Sequence, residues 1–338
     1  MMHSPSNGPR LRPLLAGLTL LGLMAASPAL AGADPATGDA AGQSAGSAGS
    51  AGARVVPPAG PTGFDAPEDA MDIAQVARVA LVADVARVRP GETFHLAITA
   101  SMAKHWHTYW MNPGDTGVPV RLNVQAPEGF TVGELRYPRP QVITGPEGTT
   151  YGYDEEAWIF VPVTAPSSLS AGDAPFEFTV ELMYLVCREM CLIGSETLSL
   201  SLPAGAGDAA TPADERTMAA MRPWLARVPA PLEKLDGATM SVDLDAGHVR
   251  ISVPVAAAAA TADASPVILP APGPGVRFGE PAIRRDGDRW DIRIPLTLSP
   301  GNTLGQPYRI RGLLGLGEKP EDPAWQFHQT FPVPAAGG

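Results

Sequence analysis

Only two cysteines occur in the 338 residues, Cys187 and Cys191, with three residues between them. A thiol pair this close can form a local bridge, hold a soft metal ion or exchange its bridge with other thiols. Entropy argues for chemistry rather than architecture. Closing so short a loop stabilises a fold by about 2 kcal/mol, against roughly 4–5 for a loop of a hundred residues. A chain long enough to bury a large core gains little from so small a staple. A local structural disulfide is the plain alternative. The pair lies within Met183-Tyr184-Leu185-Val186-Cys187-Arg188-Glu189-Met190-Cys191-Leu192-Ile193. Two backbone forms bring such sulfurs together, a hairpin loop and a helical turn. Arg188 would lower a neighbouring thiol pKa and Glu189 would raise it. Cys187 ends a strongly apolar run and is expected to be the more buried sulfur.

A second stretch, Lys104 to Pro119, is dense in large side chains: Trp106, Tyr109 and Trp110 precede the turn residues Pro113-Gly114-Asp115-Thr116-Gly117. Three readings stand: a loop tucked over one end of a core, a lid over the cysteine pair, or a metal site. His105 and His107 would share one face of a strand, and Met111, Met183 and Met190 are soft donors. With the thiolates of Cys187 and Cys191 these imidazoles would suit copper(I). A third stretch runs from Thr149 to Glu156. Tyr151 and Tyr153 share a face of any extended segment. Sheet-edge packing is the simple reading for them, and a solvated turn for the acids that follow. No nucleophile–histidine–acid spacing, phosphate-binding glycine loop or zinc motif occurs.

The elements that position these residues are strands. Phe94, Leu96 and Ile98 alternate with polar or small neighbours, as do Leu198, Leu200 and Leu202. Strands are expected over 76–85, 120–124, 131–137, 157–164, 176–186 and 192–202, and again over 240–244, 249–253, 267–269, 289–298, 308–314 and 326–333. Short strands punctuated by proline and glycine predict an antiparallel sandwich. Thr211-Pro212 followed by Asp214 and Glu215 opens a helix, with Thr211 as the expected N-cap and Pro223 a kink or break. The fold class is therefore all-β: two immunoglobulin-like antiparallel β-sandwiches joined by a short helical connector. The expected division is a signal peptide at 1–31, a disordered Ala/Gly/Ser/Pro linker at 32–65, a sandwich with the cysteines at 66–205, a connector at 206–232 and a second sandwich at 233–338.

Compartment and partners follow from the ends and the charge. Arg10 and Arg12, the apolar run 14–26 and the small residues Ala29-Leu30-Ala31 form a cleavable secretory leader. No later run reaches the roughly 20 apolar residues of a membrane helix, so no direct membrane insertion is expected. Export places the cysteines in an oxidising compartment, the periplasm. A formal net charge of −11 argues against nucleic acid as a partner.

Taken in order, His105-Trp106-His107-Thr108-Tyr109-Trp110, Pro113–Gly117, Glu134-Leu135-Arg136-Tyr137-Pro138, Tyr151-Gly152-Tyr153 and Tyr184–Cys191 resemble the N-terminal periplasmic domain of the DsbD family of thiol:disulfide interchange proteins. The ScsB-like branch, with two exported sandwiches, is the nearest in pattern. The resemblance is strong over residues 76–203 and looser beyond. It implies a redox pair, Cys187 and Cys191, that takes electrons from a membrane-embedded thiol reductase and passes them to exported thioredoxin-like proteins. It also implies that Cys191 makes the intermolecular bond and that no cofactor is needed. Thr150 stands where the main branch carries an aromatic cap. The site-lining or capping role then falls to Trp106, Tyr109, Trp110, Tyr151, Tyr153 or Tyr184. Copper tolerance through Cys187, Cys191, His105 and His107 is the alternative, and a binding module with a structural disulfide is another.

Overall fold

The computed structural model describes residues 62–146, 148–169, 174–205, 211–258, 265–271, 273–299 and 307–332. The leader expected at 1–31 lies outside these residues, as does the linker at 32–65 except for its last four positions.

Alternation of side chains decides where each strand goes. After one helical turn, α1 (Ile73–Val76), ten strands follow: β1 (Ala77–Ala83), β2 (Thr93–Met102), β3 (His107–Gly114), β4 (Arg121–Gln125), β5 (Thr131–Val132), β6 (Gln141–Gly145), β7 (Gly148–Asp154), β8 (Glu156–Thr164), β9 (Phe176–Cys187) and β10 (Cys191–Leu202). They form two sheets, in the orders β1-β2-β8-β5 and β10-β9-β3-β7-β6, and β4 also pairs with β9. Phe94, Leu96 and Ile98 of β2 meet Phe178, Val180 and Leu182 of β9 in one buried cluster. Burial of such side chains contributes about 1.5–3 kcal/mol each.

The second half repeats the plan after α2 (Glu215–Ala226). Its strands are β11 (Ala230–Pro231), β12 (Thr239–Asp243), β13 (His248–Pro254), β14 (Pro266–Pro270), β15 (Val276–Phe278), β16 (Ala282–Asp286), β17 (Arg289–Leu298), β18 (Tyr308–Leu316) and β19 (Ala324–Phe331). The sheets run β11-β19-β18-β14 and β12-β13-β17-β15, with β16 paired to β17. Val249, Ile251, Ile292, Ile294, Ile310 and Leu314 form their common core. The architecture is all-β, and among the described residues every pairing of named strands is antiparallel except the two-residue β11–β19 pairing.

Three expectations are corrected. Strand pairing over 131–137 stops at Val132; Gly133 N–H donates to the Pro162 carbonyl (2.8 Å), but Pro162 has no N–H to return, and beyond it only Arg136 bridges to Phe160. The helix is capped by Asp214, whose side chain accepts from the Thr217 N–H, and not by Thr211. Pro223 leaves α2 unbroken. It falls in the last turn, where a missing N–H removes one ladder bond.

The halves share buried surface. Leu269, Ala271 and Leu313 of the second half, and Met221 and Trp224 of α2, belong to the same buried cluster as the first sandwich's core. A charge crosses the same boundary. Arg139 is 2% exposed, and its guanidinium donates to the carbonyls of Gly317, Asp322 (3.1 Å) and Pro323 (3.4 Å). A Cβ at Gly315 would lie 2.6 Å from the Arg139 guanidinium carbon, so only glycine admits it. The backbone N–H of Arg139 donates to the Arg227 carbonyl (2.8 Å), and the Arg227 guanidinium donates back to the Arg139 carbonyl (3.1 Å). Asn112 Nδ2 donates to the Pro270 carbonyl.

Candidate functional site

The cysteines face one another where β9 meets β10. The register runs without slippage from Phe176↔Leu202 to Cys187↔Cys191, and the hairpin closes with the Arg188 N–H donating to the Met190 carbonyl (3.0 Å). The hairpin is therefore the form adopted, and not the helical turn. Cys187 and Cys191 are joined in a disulfide with 4.1 Å between their Cα atoms. Cys187 is 3% exposed, whereas Cys191 is open to solvent. The buried cysteine packs against Tyr109 and Leu185.

Cross-strand pairing sets those neighbours. His107 of β3 is directly opposite Cys187, and Tyr109, Leu185 and Cys187 form a small buried cluster of their own. Thr108 Oγ1 donates to the Leu185 carbonyl (2.9 Å), fastening β3 to β9 beside the pair. The aromatic stretch is thus a strand inside the sheet, and not a loop over the end of the core. His107 lies edge-on to the Tyr109 ring, with 5.4 Å between centroids. The turn after β3 closes over Tyr109: a Cβ at Gly117 (φ +83°) would fall 2.2 Å from the ring. Asp115 Oδ2 accepts from the Thr149 N–H (2.8 Å), and the Thr116 and Thr150 hydroxyls share a hydrogen bond of 2.9 Å. Thr150, at the expected cap position, is a pin for this turn.

Of the six aromatic residues expected to line or cap the pair, Tyr109 touches Cys187. Trp106 lies near, through the Arg188 guanidinium 5.6 Å over its ring. Trp106, Trp110, Tyr153 and Tyr184 all belong to the main core, and Tyr151 packs against it. Tyr184 is three residues from Cys187, so strand alternation turns it to the opposite face. There it covers Gly194, where a Cβ would meet its ring at 2.3 Å. The Tyr153 hydroxyl donates to the Pro138 carbonyl (2.7 Å), and its ring meets Trp224 edge-on.

Electrostatics around the pair come from His107 and Asp154, which pair across β3 and β7. Burial pushes the imidazole of His107 below its ordinary value of 6.5, and Asp154 opposes that shift. Burial, with Glu155 adding to it, pushes the Asp154 carboxyl up from 3.8. His105 takes a left-handed backbone (φ +67°), and its N–H donates to Glu155 Oε1 (3.3 Å). Among the described residues, no group of three or more His, Cys, Asp or Glu side chains could hold a metal ion.

Residue type alone did not mark the apolar rim. Ile193 is 72% exposed, Met190 44% and Met183 41%. Ile193 stands opposite Leu185 and Met183 opposite Ser195, on the face that carries the sulfurs. The one available signal was the unbroken run Cys191-Leu192-Ile193 on a strand whose later residues alternate. Arg188 also ties the hairpin to the segment before α1, donating to the Glu68 carbonyl (2.9 Å).

No curated protein matches the chain in a sequence search. Among solved structures, the N-terminal periplasmic domain of ScsB from Proteus mirabilis matches at 19% identity and a TM-score of 0.49, covering 80% of this chain and 98% of that one. The DsbD N-terminal domain of Neisseria meningitidis in the reduced form matches at 14% identity and a TM-score of 0.23, covering 39% of this chain and 90% of that one. Residues 77–203, which hold β1 to β10 and both cysteines, match the family described as thiol:disulfide interchange protein DsbD, N-terminal. That segment is a DsbD N-terminal-like domain.

Proposed function

We propose that the chain is a periplasmic thiol–disulfide exchange protein, relaying electrons through Cys187 and Cys191 from a membrane-embedded reductase to exported thiol proteins. The observation that carries this reading is the asymmetry of the bridge: one sulfur is open to solvent and the other is buried beside Tyr109 and His107. Exchange needs one sulfur that a partner's thiolate can reach in line and one that can leave. A donor thiolate attacks Cys191 Sγ, a mixed disulfide forms, and Cys187 leaves as a thiolate and takes up a proton. The donor's second thiolate then attacks its own mixed-disulfide sulfur and releases Cys191. Two electrons and two protons have passed to the domain. The same steps in reverse, with an oxidised acceptor, return the bridge. The rim of Ile193, Met190 and Met183 offers apolar surface for a partner around Cys191.

Redox titration of the folded protein with a thiol label tests this. The expected potential is well above the roughly −300 mV of inert structural disulfides. A bridge that resists millimolar dithiothreitol in the native state would leave it a staple.

A further inference from the structure

The boundary between the sandwiches holds a partly open cavity of about 370 Å³. That is within the range of roughly 300–1,000 Å³ typical of small-molecule sites. No cysteine lines it, and it owes nothing to the exchange site. Its charge is unlike that of the chain. Arg136, Arg309 and Arg311 line it against a single carboxylate, Glu134, in a protein with a formal net charge of −11.

Strand alternation explains two of these arginines. Tyr308, Ile310 and Leu314 of β18 turn to the second core, whereas Leu313 joins the first. Arg309 and Arg311 leave β18 on the side away from Ile310, toward the cavity. Arg311 Nε donates to the Ala271 carbonyl (3.3 Å). The side chains of Arg136 and Arg309 make no ion pair among the described residues. The guanidinium fork matches a carboxylate, sulfonate or phosphate.

The rest of the wall is mixed: Gln326 and His328 are polar, and Trp110, Tyr137, Leu313 and Phe327 give it an apolar, aromatic part. Trp110 is 2% exposed, and its indole Nε1 is buried with no hydrogen-bond partner among the described residues. A buried donor left unpaired is rare. Cations without an ion-pair partner and an aromatic wall meet at one cavity.

We propose that this cavity binds a small organic anion, its acidic head among Arg136, Arg309 and Arg311 and its apolar body against Trp110, Tyr137 and Phe327. The test is titration of the whole protein with phenylacetate, followed by calorimetry and by tryptophan fluorescence. Phenylacetamide serves as the neutral isostere and inorganic phosphate as the head without a body. Saturable binding of one phenylacetate per chain is expected. Phenylacetamide should bind about tenfold more weakly, and Arg309→Gln and Arg136→Gln should each weaken phenylacetate by about tenfold. Both arginines are exposed, so the variants should keep the parent's thermal midpoint. Loss of both cysteines should leave the affinity unchanged. Equal affinity for the neutral isostere would overturn the proposal, as would phosphate binding as tightly as phenylacetate. Indifference to both substitutions, or no binding of phenylacetate at millimolar concentration, would do the same.

Discussion

Cys191 is open and Cys187 is 3% exposed, which predicts unequal roles. With Cys187→Ala no resolving thiol remains, and Cys191 should accumulate a covalent complex with its partner. Cys191→Ala should trap much less. Non-reducing gels of both variants in a periplasmic extract decide it, and equal trapping would defeat the assignment. His107 gives a second prediction. Burial holds its pKa below 6.5, so between 6.5 and that lowered value the unfolded chain binds more protons than the folded one. Stability contributed by the neutral imidazole is present above 6.5 and is lost as pH falls through this window. Urea midpoints at pH 7.5 and 5.5 should therefore show the parent losing ground to His107→Gln on acidification. Asp154, pushed up from 3.8, acts with the opposite sign in the window that opens upward from that value. The pair and its unequal burial were legible from residue type and order; Tyr109 was one of six aromatic candidates, and the packing against Cys187 singles it out. The place of His107 opposite Cys187 was not, because register across β3 and β9 is a long-range fact.

At the scale of elements, the hairpin of β9 and β10 was legible because Phe178, Val180 and Leu182 alternate with polar residues and the facing leucines do the same. β3 was hidden. Thr108, Tyr109 and Trp110 are buried in succession, and a strand covered on both faces has no alternation to read. β16 was missed for the converse reason, since four of its five residues are exposed. The hairpin's own packing makes two predictions. Gly194→Val would drive a side chain into the Tyr184 ring and should cost about 1–3 kcal/mol in denaturant unfolding. Replacing both cysteines with alanine should cost about 2 kcal/mol and leave the fold intact, as the loop entropy requires. Failure of that variant to fold would favour the structural reading.

Across the whole molecule, two sandwiches and a helical connector could be anticipated from strand patterning and from the Pro212–Glu215 stretch. What joins them could not. Arg139, between Pro138 and Pro140, reads as a surface charge, and only the structure shows it 2% exposed among the carbonyls of Gly317, Asp322 and Pro323. Arg139→Met should orphan those carbonyls and cost about 2–4 kcal/mol. Thermal unfolding and limited proteolysis around residues 227–232 would register the loss, and an unchanged midpoint would show that the joint lies elsewhere.

The shared cluster has a bearing on inheritance. The family match ends at residue 203, yet the buried surface does not, since Leu269, Ala271, Leu313 and Trp224 complete it. A recombination event that carried away only the disulfide-bearing half would leave an apolar wound and an arginine without its carbonyls. Such a transplant would need new residues to cover that face before it could spread. The second sandwich is therefore a wall of the first, and substitutions on the two sides of the joint are expected to be inherited in pairs.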